Sequence, residues 1–420
     1  MSAAAPIAWA RRRTQVPLYR NGYALIVSSG LTSVLGLVYW AVAARVYPPA
    51  AVGVCAGLIS AMTLLANLAQ LNLKSALNRF LPRAGPNAAR FVRRSYVVAV
   101  VVAALSSLTF VAGLGIWSRS LAFIGERPGL ALWFVAATMA WTIFVLQDNV
   151  LTGIRQAAWV PVENLAYSVA KIVLLVAAAG IAPTLGPFVA WSAPLLLLVV
   201  PMTLLLFRRL IPAHVHATRR SEPERIGARG VVRYVAGDYI AYVIMAVTVG
   251  VLPLVVLSEL GPEANAYYFV SWSIAYGLYL IASGMGMAMI TEASLDPAEL
   301  AAHRRQTVLE TVRLMVPAVV VVVVAAPTML ALLGHDYSGE ATTLLRLLAI
   351  SALPWVVFVT YTNVARVQRR MRALIVAHAT LCGTVLAVGL PLVSSIGITG
   401  LGIAWLAGQS VVAAGLLAAP

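Results

Sequence analysis

The sequence predicts an all-α polytopic membrane protein of about twelve transmembrane helices in two six-helix halves, and three observations predict it. Of the 420 residues, 61% are hydrophobic and 10% charged, against roughly 25% charged in a soluble domain. With a mean hydropathy of +0.90, such a chain cannot cover itself with a wetted surface. Apolar runs repeatedly exceed the roughly 18 residues that cross a bilayer core as a helix. Basic residues crowd into every second loop, as the positive-inside rule requires of a multi-span protein.

The elements follow in chain order. A basic lead of Arg11, Arg12, Arg13 and Arg20 precedes the first span, 23–45. Ala41-Val42-Ala43 resembles a signal-peptidase site. The run is nevertheless too long for a signal h-region, and a second span follows at once, so it reads as an uncleaved helix. Pro48-Pro49 turns the chain into 51–72, because proline lacks the N–H donor and clashes with the preceding turn. Spans 96–117, 129–150, 158–180 and 187–207 complete a first half, 1–207. The stretch 208–233 is the longest polar segment and reads as a basic cytoplasmic linker. A second half, 234–420, holds 234–257, 265–288, 310–333, 341–365, 373–395 and 398–419, with Gly261-Pro262 dividing its first two spans.

Loop charge sets the orientation. The loop 73–95 carries Lys74, Arg79, Arg83, Arg90, Arg93 and Arg94, and the turn after the tenth span carries Arg366, Arg369, Arg370 and Arg372. The opposite loops hold only Arg119 and Arg127. Both termini are therefore expected in the cytoplasm of a bacterial cell, with the chain in its inner membrane.

The halves resemble each other. At a shift of 213, Pro49 matches Pro262 and Ser60 matches Ser273. At 214, Phe144-Val145 matches Phe358-Val359 and Asn149-Val150 matches Asn363-Val364. Six helices per half insert in the same sense, which is the parallel repeat with its pseudo-two-fold axis along the membrane normal.

Several function classes drop out. The net charge of +16 is spread over alternating loops and forms no nucleic-acid patch. Cys55 and Cys382 both lie in apolar runs and make no disulfide framework or metal site. No nucleophile motif, metal cluster or phosphate-cradling glycine loop is present, so neither an enzyme nor a cofactor is expected.

Ionisable residues inside spans cost roughly 2.5–3.5 kcal/mol each on insertion scales and point to function or pairing. Lys171 lies near the middle of the fifth span. It is either a cationic contact for an anionic substrate or one member of a buried pair. Arg45 and Arg346, towards the outer face, either extend that cationic path or snorkel to headgroups. Asp148, Glu163 and Asp238 lie in the cytoplasmic thirds of their spans. They are either sites for a coupling Na⁺ or H⁺ or partners of nearby arginines such as Arg155 and Arg233.

The segment Arg45-Val46-Tyr47-Pro48 through Val52-Gly53, the polar stretch Asn67 to Asn72, and Asn78-Arg79-Phe80-Leu81-Pro82 resemble the first two helices of polysaccharide flippases. These belong to the multidrug/oligosaccharidyl-lipid/polysaccharide exporter superfamily. The resemblance implies a V-shaped bundle of the MATE type around a cationic central cavity. It implies a substrate, a polyprenyl-pyrophosphate-linked glycan carried from the cytoplasmic to the outer leaflet for polysaccharide biosynthesis. Arg79 matches the family's basic position after the second helix and is expected at the cytoplasmic mouth. Membrane lipids and other polysaccharide assembly proteins are the implied partners. The alternatives are a drug or metabolite/cation antiporter of the same fold and, less favoured, a membrane enzyme acting on lipid-linked sugars. A major-facilitator transporter is disfavoured because the loop Asn78 to Arg94 contains no Asp.

Overall fold

The structure, a computed structural model, describes residues 17–218, 228–293, 300–368 and 370–418, with side chains from 32 onward except at 286–307 and a few other positions. The side chains of the basic lead-in and of Arg219, Arg220, Arg225, Arg233 and Arg369 lie outside this description. All described secondary structure is helical: α1 Pro17–Val46, α2 Pro49–Ala69, α3 Leu73–Phe80, α4 Ala88–Ala112, α5 Leu114–Trp117, α6 Pro128–Gly153, α7 Trp159–Ala178, α8 Gly186–Leu205, α9 Ile211–Ala217, α10 Ala228–Glu259, α11 Pro262–Ala293, α12 Leu300–Ala331, α13 His335–Val367, α14 Met371–Ile396 and α15 Ile398–Ala418. Ten of the described helices are long and apolar enough to cross a membrane. α1 adds a shorter apolar stretch, Thr32–Val46, and α11 is 32 residues long with Tyr, Trp and Ser among its apolar residues. The chain is a multi-pass membrane protein.

Helix ends differ from the charge-defined span edges. The loop expected over 73–95 contains α3, two 3₁₀ turns and the first turns of α4. The sixth spanning helix continues through Arg208 and Arg209 as a π-turn into α9. Arginine and alanine are good helix formers, so the helical hydrogen-bond ladder continues past the point where hydropathy falls. Between α2 and α3 the chain turns through Leu71 and Asn72, at φ 48° and 54°. Asn tolerates that left-handed region better than Leu does.

The helices pair in a repeated pattern. In the first half α1 packs on α7, α7 on α8, α4 on α6 and α6 on α8. In the second, α10 packs on α14, α14 on α15, α12 on α13 and α13 on α15. The halves meet mainly through α2, which lies against both α10 and α11, and α1 also touches α11. A large apolar core runs through both halves, and a smaller one lies at the α3 end of the first half.

The junction is close at the Pro49/Pro262 end. A Cβ built on Gly53 would lie 1.6 Å from the Pro262 carbonyl oxygen and 3.0 Å from the Ala266 nitrogen. Only glycine allows backbones this near. The Asn265 amide donates to the Gly53 carbonyl at 2.7 Å across the same contact. Gly250 brings α10 onto Leu64 in the same way.

Candidate functional site

Lys171 is 3% exposed on α7. Its ammonium lies over three aromatic rings: Trp191 at 3.9 Å, Tyr167 at 4.9 Å and Tyr39 at 5.2 Å from the ring centroids. Among the described residues no carboxylate pairs with it. The aromatic faces carry negative charge density and offset part of the desolvation cost, each contact contributing about 0.5–2 kcal/mol.

Three helices build this cage. Tyr167 precedes Lys171 by one turn, so both share a face of α7. The Tyr167 hydroxyl donates to the Trp191 carbonyl at 3.0 Å. Tyr39, fully buried on α1, donates to the Pro187 carbonyl at the start of α8. Tyr47 donates to Leu175 at 2.7 Å, tying the end of α1 to α7. The Trp191 indole nitrogen is buried with no hydrogen-bond partner. An unpaired buried donor beside a buried cation leaves room for an acceptor on a ligand or a water. The ring network continues from Tyr39 to Trp40 at 5.3 Å and from Trp40 to Phe269 of α11 at 4.6 Å. One aromatic layer therefore separates the cage from the other half.

Asp148 and Glu163 come together near the α3 end of the first half. The Asn164 amide reaches both Asp148 carboxylate oxygens at 3.3 and 3.4 Å. Both Glu163 oxygens are buried without a hydrogen-bond partner, as is the Tyr96 hydroxyl. Neither carboxyl group has an arginine partner among the described residues, Arg155 included. Eight residues of helix, about 12 Å of rise, separate Glu163 from Lys171.

Asp238 lies apart from them. It pairs with Arg366 of α13 at 3.3 Å, both side chains about one-third exposed. Lys74 of α3 stacks over Tyr242 of α10 at 4.1 Å. Burial pulls the Lys74 pKa below its ordinary value, Asp238 opposes that shift, and Arg366 adds to it. Tyr239 donates to the Leu68 carbonyl at 2.8 Å. This polar contact joins the two halves at the end opposite Gly53.

The remaining basic residues do not converge on Lys171. Arg45 is exposed at the end of α1, and its Nε donates to the Leu332 carbonyl at 2.7 Å. It closes one end of an apolar groove of about 400 Å³ lined by Leu37, Val38, Val270, Ile274 and Met329 from both halves. Arg346 is exposed and donates to the Val323 carbonyl of α12 at 3.1 Å. Arg79 lines a cavity inside the first half. The cage residues Tyr39, Tyr167 and Trp191, and the pairing role of Arg366, were not among the residues singled out by depth and charge. Trp191 carried a signal nonetheless, because Trp405 lies 214 positions on, at the spacing that relates Phe144 to Phe358.

This arrangement defines a helical membrane protein with an enclosed cation and two buried carboxyl groups in one half. No protein-family model and no curated protein matches the chain by sequence. Solved structures do match its fold. An inward-facing multidrug-resistance MATE family transporter of the MOP superfamily superposes with a TM-score of 0.69 at 14% identity, covering 92% of this chain and 93% of that one. The lipid II flippase MurJ, in an inward closed conformation, gives 0.69 at 11% identity, covering 93% and 86%. A MOP superfamily transporter from Pyrococcus furiosus, described as having a binding pocket of reverse polarity, gives 0.62 at 15% identity, covering 96% and 93%. The chain thus has the fold shared by the MATE transporters and MurJ.

Proposed function

We propose that the chain is a transporter of the bacterial inner membrane that moves a polyprenyl-pyrophosphate-linked glycan from the cytoplasmic to the outer leaflet, with both termini in the cytoplasm. The observation that carries this reading is Lys171, a buried cation held by aromatic rings and by no carboxylate among the described residues. A pyrophosphate crossing the bilayer core needs a counter-charge, because desolvating an ion there costs many kcal/mol. Cation–π contacts hold the ammonium while leaving it available to a stronger anionic partner. Arg45 at the end of an apolar groove between the halves suits a headgroup above a polyprenyl tail. Arg346 and Arg79 enter this reading only as basic residues near the two mouths. Asp238, Glu163 and Asp148 are its candidates for Na⁺ or H⁺ coupling.

A second reading is favoured by Glu163. A buried carboxyl group with both oxygens unpartnered, in a half lined with aromatic rings, suits an organic-cation antiporter of the same fold.

Depletion of the protein separates the two. The flippase reading expects lipid-linked glycan to accumulate where an external lectin cannot reach it, with no change in accumulation of a dye cation such as ethidium. Unchanged lectin access together with raised ethidium accumulation would overturn it in favour of the antiporter.

A further inference from the structure

Of the 30 basic residues in the chain, only Lys74 and Lys171 are lysines. Scattered at random among so many arginines, two lysines would fall mostly in the charged loops, with their ammonium groups in water. Instead both ammonium groups lie over tyrosine rings. Lys171 stands over Tyr39, Tyr167 and Trp191, and Lys74 stands 4.1 Å from the ring centroid of Tyr242. Lysine and arginine are not interchangeable at such a position. A guanidinium lies flat on a ring with its donors fixed in a plane, whereas an ammonium is a compact charge with three donors that rotate. The ring face attracts that charge, and donors directed away from it can take an acceptor on another molecule.

Lys74 also has the place that a path between the halves requires. It belongs to α3 of the first half, and Tyr242 belongs to α10 of the second. Tyr239, 6.5 Å from Tyr242 and stacked on it, donates to the Leu68 carbonyl at the end of α2. At the Gly53 end the two backbones touch. Here the halves meet through the half-buried side chains of Lys74, Tyr239 and Tyr242, so a headgroup entering between the halves enters at this end. Asp238 precedes Tyr242 by one turn and shares its face of α10. Its carboxylate pairs with Arg366 of its own half and not with Lys74. An anion arriving at Lys74 therefore also meets the Asp238 charge, which keeps a transient contact from becoming a trap.

We propose that Lys74 is a second ammonium contact for an anionic lipid-linked substrate, meeting its pyrophosphate headgroup between the halves at the end opposite Gly53. The inference rests on the flippase reading and adds a residue to it. Lys74 receives the headgroup ahead of Lys171. Arg79, at the other end of α3, lines a cavity within the first half instead.

The test uses the purified full-length protein in detergent, titrated calorimetrically with farnesyl pyrophosphate and with farnesol as the uncharged control. The wild type should bind the pyrophosphate saturably and farnesol at least tenfold more weakly. Lys74→Met should raise the Kd for farnesyl pyrophosphate at least tenfold. Asp238→Asn should lower it at least twofold, because the carboxylate facing the anion is gone and Arg366 is released. A lysine that only packed the junction would give no such tightening. Arg93→Gln, which removes an exposed charge on α4, should bind as wild type does. Wild-type affinity in folded Lys74→Met protein, or in Asp238→Asn, would overturn the inference, and a loss of binding in Lys171→Met alone would leave the flippase reading standing without it. No saturable binding of farnesyl pyrophosphate by the wild type would overturn both.

Discussion

Each half contains an aromatic box built from matching positions, and only one box holds a charge. Trp141, Phe144 and Trp191 of the first half stand 214 positions before Trp355, Phe358 and Trp405 of the second. Trp141 stacks on Phe144 at 6.0 Å, and Trp355 stacks on Phe358 at 5.0 Å. The position matching Lys171 is Val385, fully buried. In the second box Tyr279 hydrogen-bonds to Leu348 at 2.9 Å and to Ser351 at 2.7 Å. Its Trp355 and Trp405 indole nitrogens are buried without a hydrogen-bond partner, as that of Trp191 is in the first box. The boxes differ in the Lys171 ammonium, with which no carboxylate among the described residues pairs. The same scaffold therefore carries a packed core on one side and a costly polar site on the other. A costly arrangement retained against an apolar alternative is the signature expected of a functional site.

The comparison is most open to attack at Lys171. Lys171→Met makes the first box as apolar as the second at similar side-chain length. Transport of the native substrate should fall by more than tenfold, while the Tm of the purified protein holds or rises, because a buried charge that the aromatic rings compensate only in part is removed. Unimpaired transport by this variant would make the two boxes functionally alike.

The tryptophans should divide in the opposite sense. Trp405 is 1% exposed, and Trp405→Ala should destabilise by about 3–5 kcal/mol, as large-to-small core changes do. Trp191→Ala, at a half-buried position, should cost less stability and more transport. Denaturation midpoints and transport rates on the same preparations would show the crossing, and a parallel loss in both variants would remove the distinction.

The smallest effect is expected at the polar contact joining the halves. Asp238→Asn breaks the pair with Arg366, but both side chains are about one-third exposed, so the stability change should be about 0–1 kcal/mol. A Tm change beyond a few degrees would mean that this end carries more of the association than its exposure implies.

Much of this was legible in the sequence, and the reasons are physical. Hydropathy and loop charge locate the helices, because a spanning segment needs a continuous apolar run whatever packs against it. The depth of Lys171 along its span is equally legible. The cage is not, because its rings come from α1, α7 and α8, and no local spacing relates Tyr39 to Trp191. The Asp238–Arg366 pair joins residues 128 positions apart. The cavity lined by Arg79 depends on α3, whose Lys74 and Arg79 hide helix from a reading keyed to apolar runs, and on α9, seven residues long and too short to register as a span. Asp148 pairs with Asn164 and not with Arg155, because the turn at Arg155 brings it to the cavity wall instead.

The close contact at Gly53 bears on ancestry. Ala266, the counterpart of Gly53 at a shift of 213, is one of the residues Gly53 touches. A residue that meets its own counterpart lies on the pseudo-symmetry axis. In a dimer of two identical six-helix subunits, both copies of that position would be the same residue, because an isologous interface has no second version of itself. Fusion into one chain lifts that constraint. One copy can stay glycine for the close approach while the other gains a methyl group. Asn265 can then reach across to Gly53 where its own counterpart, Val52, cannot reciprocate. The two sides of the seam are thus free to drift apart in sequence while the seam itself stays shut.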